Sequence, residues 1–171
     1  MPLPRLLAAP KRVPFDTGWV EPESADGYVR YLTPLEVEGL IETSITLSVG
    51  TYIRRPDRHV TFELAVRGLA GQRLTRIERL DWRDTKGGHS NPRTCPGPWA
   101  GRRVPASHTH SFELNWVAAE ARMRRGKLPC AEPMEPEPQS YEELRELVGR
   151  RWNINNIGVV PRPLWEYDLF G

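Results

Sequence analysis

Strict alternation of apolar and polar residues marks two neighbouring segments in the first half of the chain. In SITLSVGTYI, the apolar residues Ile45, Leu47 and Val49 alternate with hydroxyl-bearing residues, and HVTFELAVRG alternates in the same way. Successive side chains of a β-strand point to opposite faces, so this period of two predicts half-buried strands over residues 44–53 and 58–67. The short turn sequence RRPD between them predicts an antiparallel hairpin.

Weaker β patterns flank this hairpin on both sides. RLTRIERLDWRD predicts a third strand over residues 74–83, with Leu80 and Trp82 on one face. YVRYLTPLEVEGLI also alternates in part, but Pro34 interrupts the pattern. Because proline cannot donate a hydrogen bond to a sheet, we expect this segment to be an edge strand at best.

A period close to that of an α-helix is found in the last third of the chain. Phe112 and Met123 lie on one face of a helix predicted near residues 113–125, and Gly126 is a suitable residue to end it. SYEELRELVGRRWNI predicts a second helix near residues 140–151, with a serine N-cap and a glutamate at the capping-box position.

Together these elements predict an α+β fold, in which a central antiparallel sheet carries two helices on one face. The length of 171 residues suits one domain. The chain has 17 prolines, and residues 1–27 are proline-rich and without periodicity. We therefore predict a proline-rich N-terminal arm over residues 1–27 and a single domain over residues 28–171.

Charge is distributed unevenly, although the formal net charge is only +2. Residues 101–127 contain six basic and two acidic residues, and residues 128–146 contain six acidic and one basic residue. Two interpretations stay open: two solvated faces that neutralise each other, or a basic patch that faces a polyanion and has an acidic shield. In the second, guanidinium groups bind phosphates. The candidate arginines are Arg102, Arg103, Arg122 and Arg125.

The cysteine count and the N-terminus bear on the cellular compartment. Cys95 and Cys130 are too few for a secreted disulfide scaffold, and we interpret them as plain small residues rather than ligands, in a soluble and reducing compartment. The N-terminal apolar run is short and broken by proline, and no stretch approaches the roughly 18 apolar residues of a membrane span. We therefore expect a cytoplasmic protein with no membrane partner.

Three of the four histidines form a candidate site. His89 lies in a long loop rich in glycine and proline, and PASHTHSFELNW places His108 and His110 on one face of a strand. Such imidazoles suit acid–base catalysis or metal binding, and a purely structural role is the alternative. Cys95 could add a ligand from the loop, and Asp81 could either orient a histidine or pair with a nearby arginine.

The order of these motifs resembles that of small bacterial toxins from toxin–antitoxin pairs. The resemblance covers roughly residues 76–152, with Arg-Leu-Asp at 79–81, His89 in a loop, His-Thr-His at 108–110 and the helical sequence YEELRELV. This chain departs from the toxin pattern in having a single histidine where a pair is often seen, and in a long insertion around CPGPWAGRR. The resemblance implies a context of mobile and defence-related genes.

Three functions follow as hypotheses. The first is a toxin-like, RNA-directed endoribonuclease in which His89, His108 and His110 act as acid and base, with RNA and an antitoxin as partners and no metal or cofactor. The second is a non-enzymatic phage or mobile-element protein that inhibits a host defence complex by docking on it. The third is a small zinc-stabilised domain that uses the same histidines together with Cys95.

Overall fold

One mostly antiparallel sheet of eight strands forms the body of the protein, and a separate pair of short strands lies in the long loop. The structure is a computed structural model and describes residues 3–22, 24–68 and 73–167. The strands are β1 (Lys11–Arg12), β2 (Trp19–Val20), β3 (Tyr28–Val37), β4 (Leu40–Tyr52), β5 (Val60–Arg67), β6 (Leu74–Trp82), β7 (His89–Ser90), β8 (Arg103–Val104), β9 (His108–His110) and β10 (Glu132–Pro133). The helices are α1 (Leu3–Ala8), α2 (Phe112–Met123), α3 (Tyr141–Arg151) and a 3-10 turn (Ile157–Val159).

The order of strands across the sheet is β1-β3-β4-β5-β6-β9-β10, and β2 also pairs with β3. The strand pairs of this sheet are antiparallel. With the helices added, the architecture is the α+β single domain that the sequence predicts. The central hairpin β4–β5 and the third strand β6 are also confirmed.

One face of the sheet packs against the helices and forms the core. On β5, Val60, Phe62, Leu64 and Val66 are buried, and the Phe62 ring stacks on Tyr141 of α3 with 6.1 Å between ring centroids. Two residues of α2 belong to the same cluster of buried side chains, Phe112 and Met123. The alternation in the sequence therefore identified the correct inward face, and both helices lie on it.

The ends of the two long helices follow local sequence signals. At α3, the Ser140 hydroxyl accepts a hydrogen bond from the Glu143 amide at 3.2 Å, as the capping box predicts. The Glu143 carboxylate in turn accepts from the amide of Gln139 at 2.7 Å, one residue earlier than the usual partner. Gly126, with φ of +77°, ends the turn that follows α2.

The expectation that the segment around Pro34 is at best an edge strand is wrong. β3 is ten residues long and has partners on both sides, β4 on one and the short strands β1 and β2 on the other. Two features explain why the proline is tolerated. The first is that the register with β4 shifts between Pro34 and Leu35. The second is that β2 pairs with β3 at Arg30 and Tyr31, and β1 pairs with it at Glu36 and Val37, so that Pro34 lies between the two paired stretches.

The N-terminal residues make specific contacts with the rest of the domain. The buried Lys11 ammonium donates hydrogen bonds to the carbonyl oxygens of Leu7 at 2.7 Å, Ala9 at 2.9 Å and Trp152 at 3.0 Å. Burial lowers the pKa of Lys11 to about 8, although the charge of Glu78 acts in the opposite direction. The division of the chain after residue 27 stays a prediction, and residues 1, 2 and 23 of the predicted arm lie outside the described residues.

A buried carboxylate links the sheet to both long helices. Glu78 of β6 accepts hydrogen bonds from the Phe112 amide at 3.0 Å and from the Trp152 indole, and the Arg151 guanidinium lies 3.5 Å away. Burial raises the pKa of Glu78, against the effect of the Arg151 charge. This residue therefore joins the start of α2 to the end of α3.

Candidate histidine and aspartate site

The pairing of β6 with β9 brings the candidate residues together. In this antiparallel pair Asp81 lies opposite His108, and Arg79 lies opposite His110. Residues directly opposite each other share a face, and so do residues two apart on one strand, so all four lie on one face of the sheet. Thr61 of β5, opposite Asp81, is on this face too. It is the face turned away from the buried side chain of Phe62 and from the helices.

The three histidines converge, as the sequence predicts. Ring centroids are 5.1 Å apart for His108 and His110, 4.8 Å for His89 and His110, and 5.9 Å for His89 and His108. The side chains of His108 and His110 are 3% and 6% exposed, whereas His89 is partly exposed. His108 and His110 therefore form the buried floor of the site, and His89 is its more accessible histidine.

Asp81 is the carboxylate of this site, with a side chain only 3% exposed. Its Oδ1 accepts hydrogen bonds from Arg79 Nη2 at 2.7 Å and from the Thr61 hydroxyl at 2.8 Å. Its Oδ2 lies 3.4 Å from His108 Nε2 and 3.8 Å from His110 Nε2. Both roles that the sequence left open for Asp81, pairing with an arginine and facing a histidine, are thus present together.

Burial and the neighbouring charges set the protonation of these groups. Burial lowers the pKa of His110 to about 3 and also lowers the pKa of His108, although the Asp81 charge opposes both shifts. For Asp81 burial acts to raise the pKa, but the Arg79 charge and hydrogen bonds from Arg79 and Thr61 hold it below its usual value. Near pH 7 the two buried imidazoles, those of His108 and His110, are therefore neutral and lie beside an ionised carboxylate.

Hydrogen bonds to main-chain carbonyls fix two of the rings. His108 Nδ1 lies 2.9 Å from the carbonyl oxygen of Pro105, and His89 Nε2 lies 2.7 Å from that of Pro129. A carbonyl oxygen only accepts, so each of these ring nitrogens carries the proton. In the neutral ring of His108 the other nitrogen, Nε2, then has a free lone pair.

Two buried asparagines hold the segment that follows α2, Asn91 from the long loop and Asn115 from α2 itself. Asn91 exchanges two hydrogen bonds with the main chain of Ala131, at 2.7 and 2.8 Å. Asn115 of α2 exchanges two with the main chain of Cys130, both at 2.9 Å. With the contact between His89 and Pro129, these bonds position the loop over the polar face of the sheet.

Cys95 and Cys130 form a disulfide, with their Cα atoms 5.6 Å apart. The interpretation of both as plain small residues did not include this pairing, because cysteine spacing alone does not show which side chains meet in the fold. The pairing also removes Cys95 as a thiolate ligand of the zinc site proposed from the sequence. Disulfides persist mainly in oxidising compartments, so the bond does not support the expected reducing environment. A cytoplasmic location stays a prediction.

The four candidate phosphate-binding arginines fall into two places. Arg103 is on β8, whose partner strand carries His89, and it donates to the Gly87 carbonyl at 2.9 Å. The exposed Arg102 precedes it. Arg122 and Arg125 are at the end of α2, where Gly126 lies against the Arg76 backbone. That point on β6 is about 16 Å along the strand from Asp81, so the structure groups only the first two with the histidines.

Comparison with protein-family models, with curated proteins and with solved structures finds no match. Within the described ranges, none of the helices has both the length and the apolar character needed to cross a bilayer.

Five surface clefts, of about 200 to 450 Å³, are lined by residues other than the three histidines of the site. Fold and site thus define an α+β protein with a buried cluster of histidines and one aspartate on the helix-free face of its sheet.

Proposed function

We propose that this chain is a toxin-like protein of a bacterial toxin–antitoxin or mobile-element system, and that it cleaves RNA at the site formed by His89, His108, His110 and Asp81. The observation that supports this is the convergence of three histidines from two separate segments beside one buried carboxylate. RNA cleavage requires one group that accepts the proton of the 2′-hydroxyl and another that protonates the leaving oxygen. Neighbouring imidazoles provide both.

Burial assigns different roles to the three histidines. His108 and His110 are neutral near pH 7 and nearly inaccessible, so they form the floor of the site and act as bases or ligands. His89 is more exposed and lies on the loop side, so a substrate reaches it first. We assign to His89 the proton transfer to the leaving oxygen.

Arg102 and Arg103 are the residues that we expect to bind the RNA backbone. Both are exposed, and Arg103 is paired with the residue next to His89 in the small sheet of the loop. A guanidinium group matches the geometry of a phosphate and keeps its charge at any physiological pH. We expect their removal to weaken RNA binding and to reduce its dependence on salt.

The test is induced expression in bacteria of the wild type and of the variants His89→Ala, His108→Ala and His110→Ala. His59→Ala is the matched control, because His59 is the fourth histidine and pairs with Asp84 outside the cluster. We expect wild type and control to arrest growth and produce new RNA ends, and the three cluster variants to lose about 10²- to 10⁴-fold in cleavage rate. Circular dichroism of each purified variant separates lost chemistry from lost folding. Growth arrest without RNA cleavage, or equal cleavage by all variants, would rule out the proposal.

A second candidate is the non-enzymatic protein that docks on a host complex. The low exposure of His108 and His110 favours it, since a buried polar cluster can also serve only to fix one arrangement of the loop. In that case growth arrest survives the histidine substitutions. Growth arrest is lost instead when the exposed charges of residues 101–127 are reversed. A host complex also co-purifies with the wild-type protein.

A further inference from the structure

We propose that Asp81, His108 and His110 bind a divalent transition-metal ion, with Oδ2 of the aspartate and one ring nitrogen of each histidine as ligands. The leading hypothesis from the sequence needs no metal, and the third placed zinc on the histidines together with Cys95. The geometry points to a different set of ligands, in which Asp81 takes part and the disulfide-bonded Cys95 does not. The proposal does not depend on RNA cleavage, because metal binding is measured with no RNA present.

The first support is that two hydrogen-bond acceptors face each other in the buried floor of the site. His108 donates from Nδ1 to the Pro105 carbonyl, so its neutral ring directs a lone pair from Nε2. That nitrogen lies 3.4 Å from Asp81 Oδ2, which is also an acceptor when ionised. Two buried acceptors at this distance repel unless a positive charge lies between them, either a proton or a cation.

The second support is that the carboxylate oxygen that faces the histidines lacks a hydrogen-bond partner within the described ranges. Asp81 uses only Oδ1 for its bonds to Arg79 and Thr61, and Oδ2 has no hydrogen bond with any described residue. In the described part of the chain, His110 Nδ1 is also buried and without a partner, but Nε2 is the nitrogen of that ring that faces Asp81, so the argument rests on Oδ2. Buried polar atoms are seldom left unpaired, and a bound ion is one of the few explanations for such an atom.

The third support is the spacing of the candidate ligand atoms. The nitrogen and oxygen donors of Asp81, His108 and His110 all lie within 4.8 Å of one another. Two donors at about 2.0–2.1 Å from a tetrahedral Zn²⁺ are about 3.4 Å apart. The distance of 3.4 Å from Asp81 Oδ2 to His108 Nε2 matches this value, and that of 3.8 Å to His110 Nε2 exceeds it by about 0.4 Å. The widest separation in the group, up to 4.8 Å, has to shorten by about 1.4 Å, which is within the reach of movements shared between two side chains.

The ligand types indicate the class of ion. Two neutral imidazoles and one carboxylate suit Zn²⁺ and its neighbours among the transition metals, whereas Mg²⁺ and Ca²⁺ prefer sites made wholly of oxygen. The Pro105 carbonyl that orients His108, and Arg79 and Thr61 on the far oxygen of Asp81, correspond to the outer hydrogen bonds that hold metal ligands in place. The Arg79 charge reduces the attraction for a cation, so we expect a weaker site than one without it.

Three protein ligands leave one tetrahedral position open. His89 is the nearest further histidine, with its ring centroid 4.8 Å from that of His110. It lies beside the proposed ligands without being one of them, with its Nε2 bonded to the Pro129 carbonyl. This arrangement keeps His89 as the proton-transfer residue and makes the two buried histidines ligands.

The experiment is titration of the wild type with Zn²⁺ and Co²⁺ after treatment with a chelator, followed by calorimetry and, for Co²⁺, visible absorption. The affinity tag is removed first, because an oligohistidine tag binds the same ions. The variants are Asp81→Asn, His108→Ala and His110→Ala, and His59→Ala is the control. The disulfide already excludes both cysteines as competing ligands.

We expect one bound ion per chain in the wild type and in His59→Ala, and at least about a tenfold loss of affinity in each cluster variant. The proposal is overturned if the wild type binds no Zn²⁺ or Co²⁺, or if the cluster variants bind as well as the control. The first of these outcomes would leave a proton as the charge between Asp81 and His108.

A measurement on the wild type covers the case in which a cluster variant fails to fold. In the imidazole region of an NMR spectrum, Zn²⁺ should shift the ring signals of His108 and His110 and leave those of His59 in place. The His59→Ala spectrum assigns the control signal. Shifts confined to His59, or no shifts at all, would contradict the site as firmly as a failed titration.

Discussion

The disulfide between Cys95 and Cys130 allows a quantitative prediction about stability. The bond closes a loop between residues that are 35 apart in sequence. In the chain-entropy description of cross-links, a loop of this length constrains the unfolded chain by about 4 kcal/mol at 25 °C. Since domains of this kind are stable by about 5 to 15 kcal/mol, opening the bond should remove a large part of the total.

The variant that tests this is the double substitution Cys95→Ala and Cys130→Ala. Both sulfurs are in buried residues, so alanine avoids the unpaired hydroxyl that serine would leave. The free energy of unfolding falls by about 2 kcal/mol for each molar of urea, so a loss of about 4 kcal/mol in that free energy lowers the urea midpoint by about 2 M. Wild-type protein in reductant should show nearly the same midpoint as the double variant, because both have lost the same loop closure.

Mass spectrometry after alkylation provides the direct control. The chain has only two cysteines, so protein purified without reductant should take up no alkylating reagent while folded or unfolded, and two equivalents after reduction. Two reactive thiols in the unreduced protein would refute the bond itself. A midpoint that reductant leaves unchanged would refute the reasoning about loop closure.

Three further substitutions test the core and its buried charges by urea unfolding. Phe62→Ala should cost about 3 to 5 kcal/mol, and a loss below about 1 kcal/mol would show that this face of β5 is not inward. Glu78→Gln should lower the free energy of unfolding by about 1 to 3 kcal/mol, because an amide leaves either the Phe112 amide or the Trp152 indole without an acceptor. Unchanged stability would contradict this network of hydrogen bonds. Lys11→Met should destabilise the protein at pH 7 by leaving three buried carbonyls without their donor. The Lys11 ammonium loses its proton at about pH 8 in the folded chain and near pH 10.5 in the unfolded chain. Between these values the unfolded chain binds more protons, so the free energy of unfolding of the wild type should rise with pH relative to that of the variant. Parallel pH curves would exclude the lowered pKa.

The elements that could be predicted from sequence are those whose pattern is local. Alternation located β4, β5 and β6 and identified the inward face, because the period of a strand is set by the backbone alone. The same argument placed His108 and His110 on one face of β9. Parity also put Asp81 on a common face with Arg79, and adjacency of β6 and β9 in the sheet then made these residues one site.

What could not be predicted depends on contacts between distant segments. The role of Pro34 inside β3 depends on a bulge and on two short partner strands that carry no periodic signal. The disulfide depends on a main-chain path that Asn91 and Asn115 fix through hydrogen bonds. Thr61, a ligand-orienting residue in the metal proposal, had no signal of its own until the register with Asp81 was known.

The connection between β6 and β9 also has a consequence for how such a protein can diverge. The two strands are neighbours in the sheet, so residues 83–107 are, in topological terms, the loop of a single hairpin. The ladder that sets Asp81 opposite His108 is formed by β6 and β9, and the end of the loop adds the Pro105 carbonyl that orients His108. We therefore expect that descendants of this chain can lengthen, shorten or exchange the part of the loop before Pro105, and lose His89 with it, while the pairing of Asp81 with His108 is kept. We expect selection for new targets to act on this insertion first.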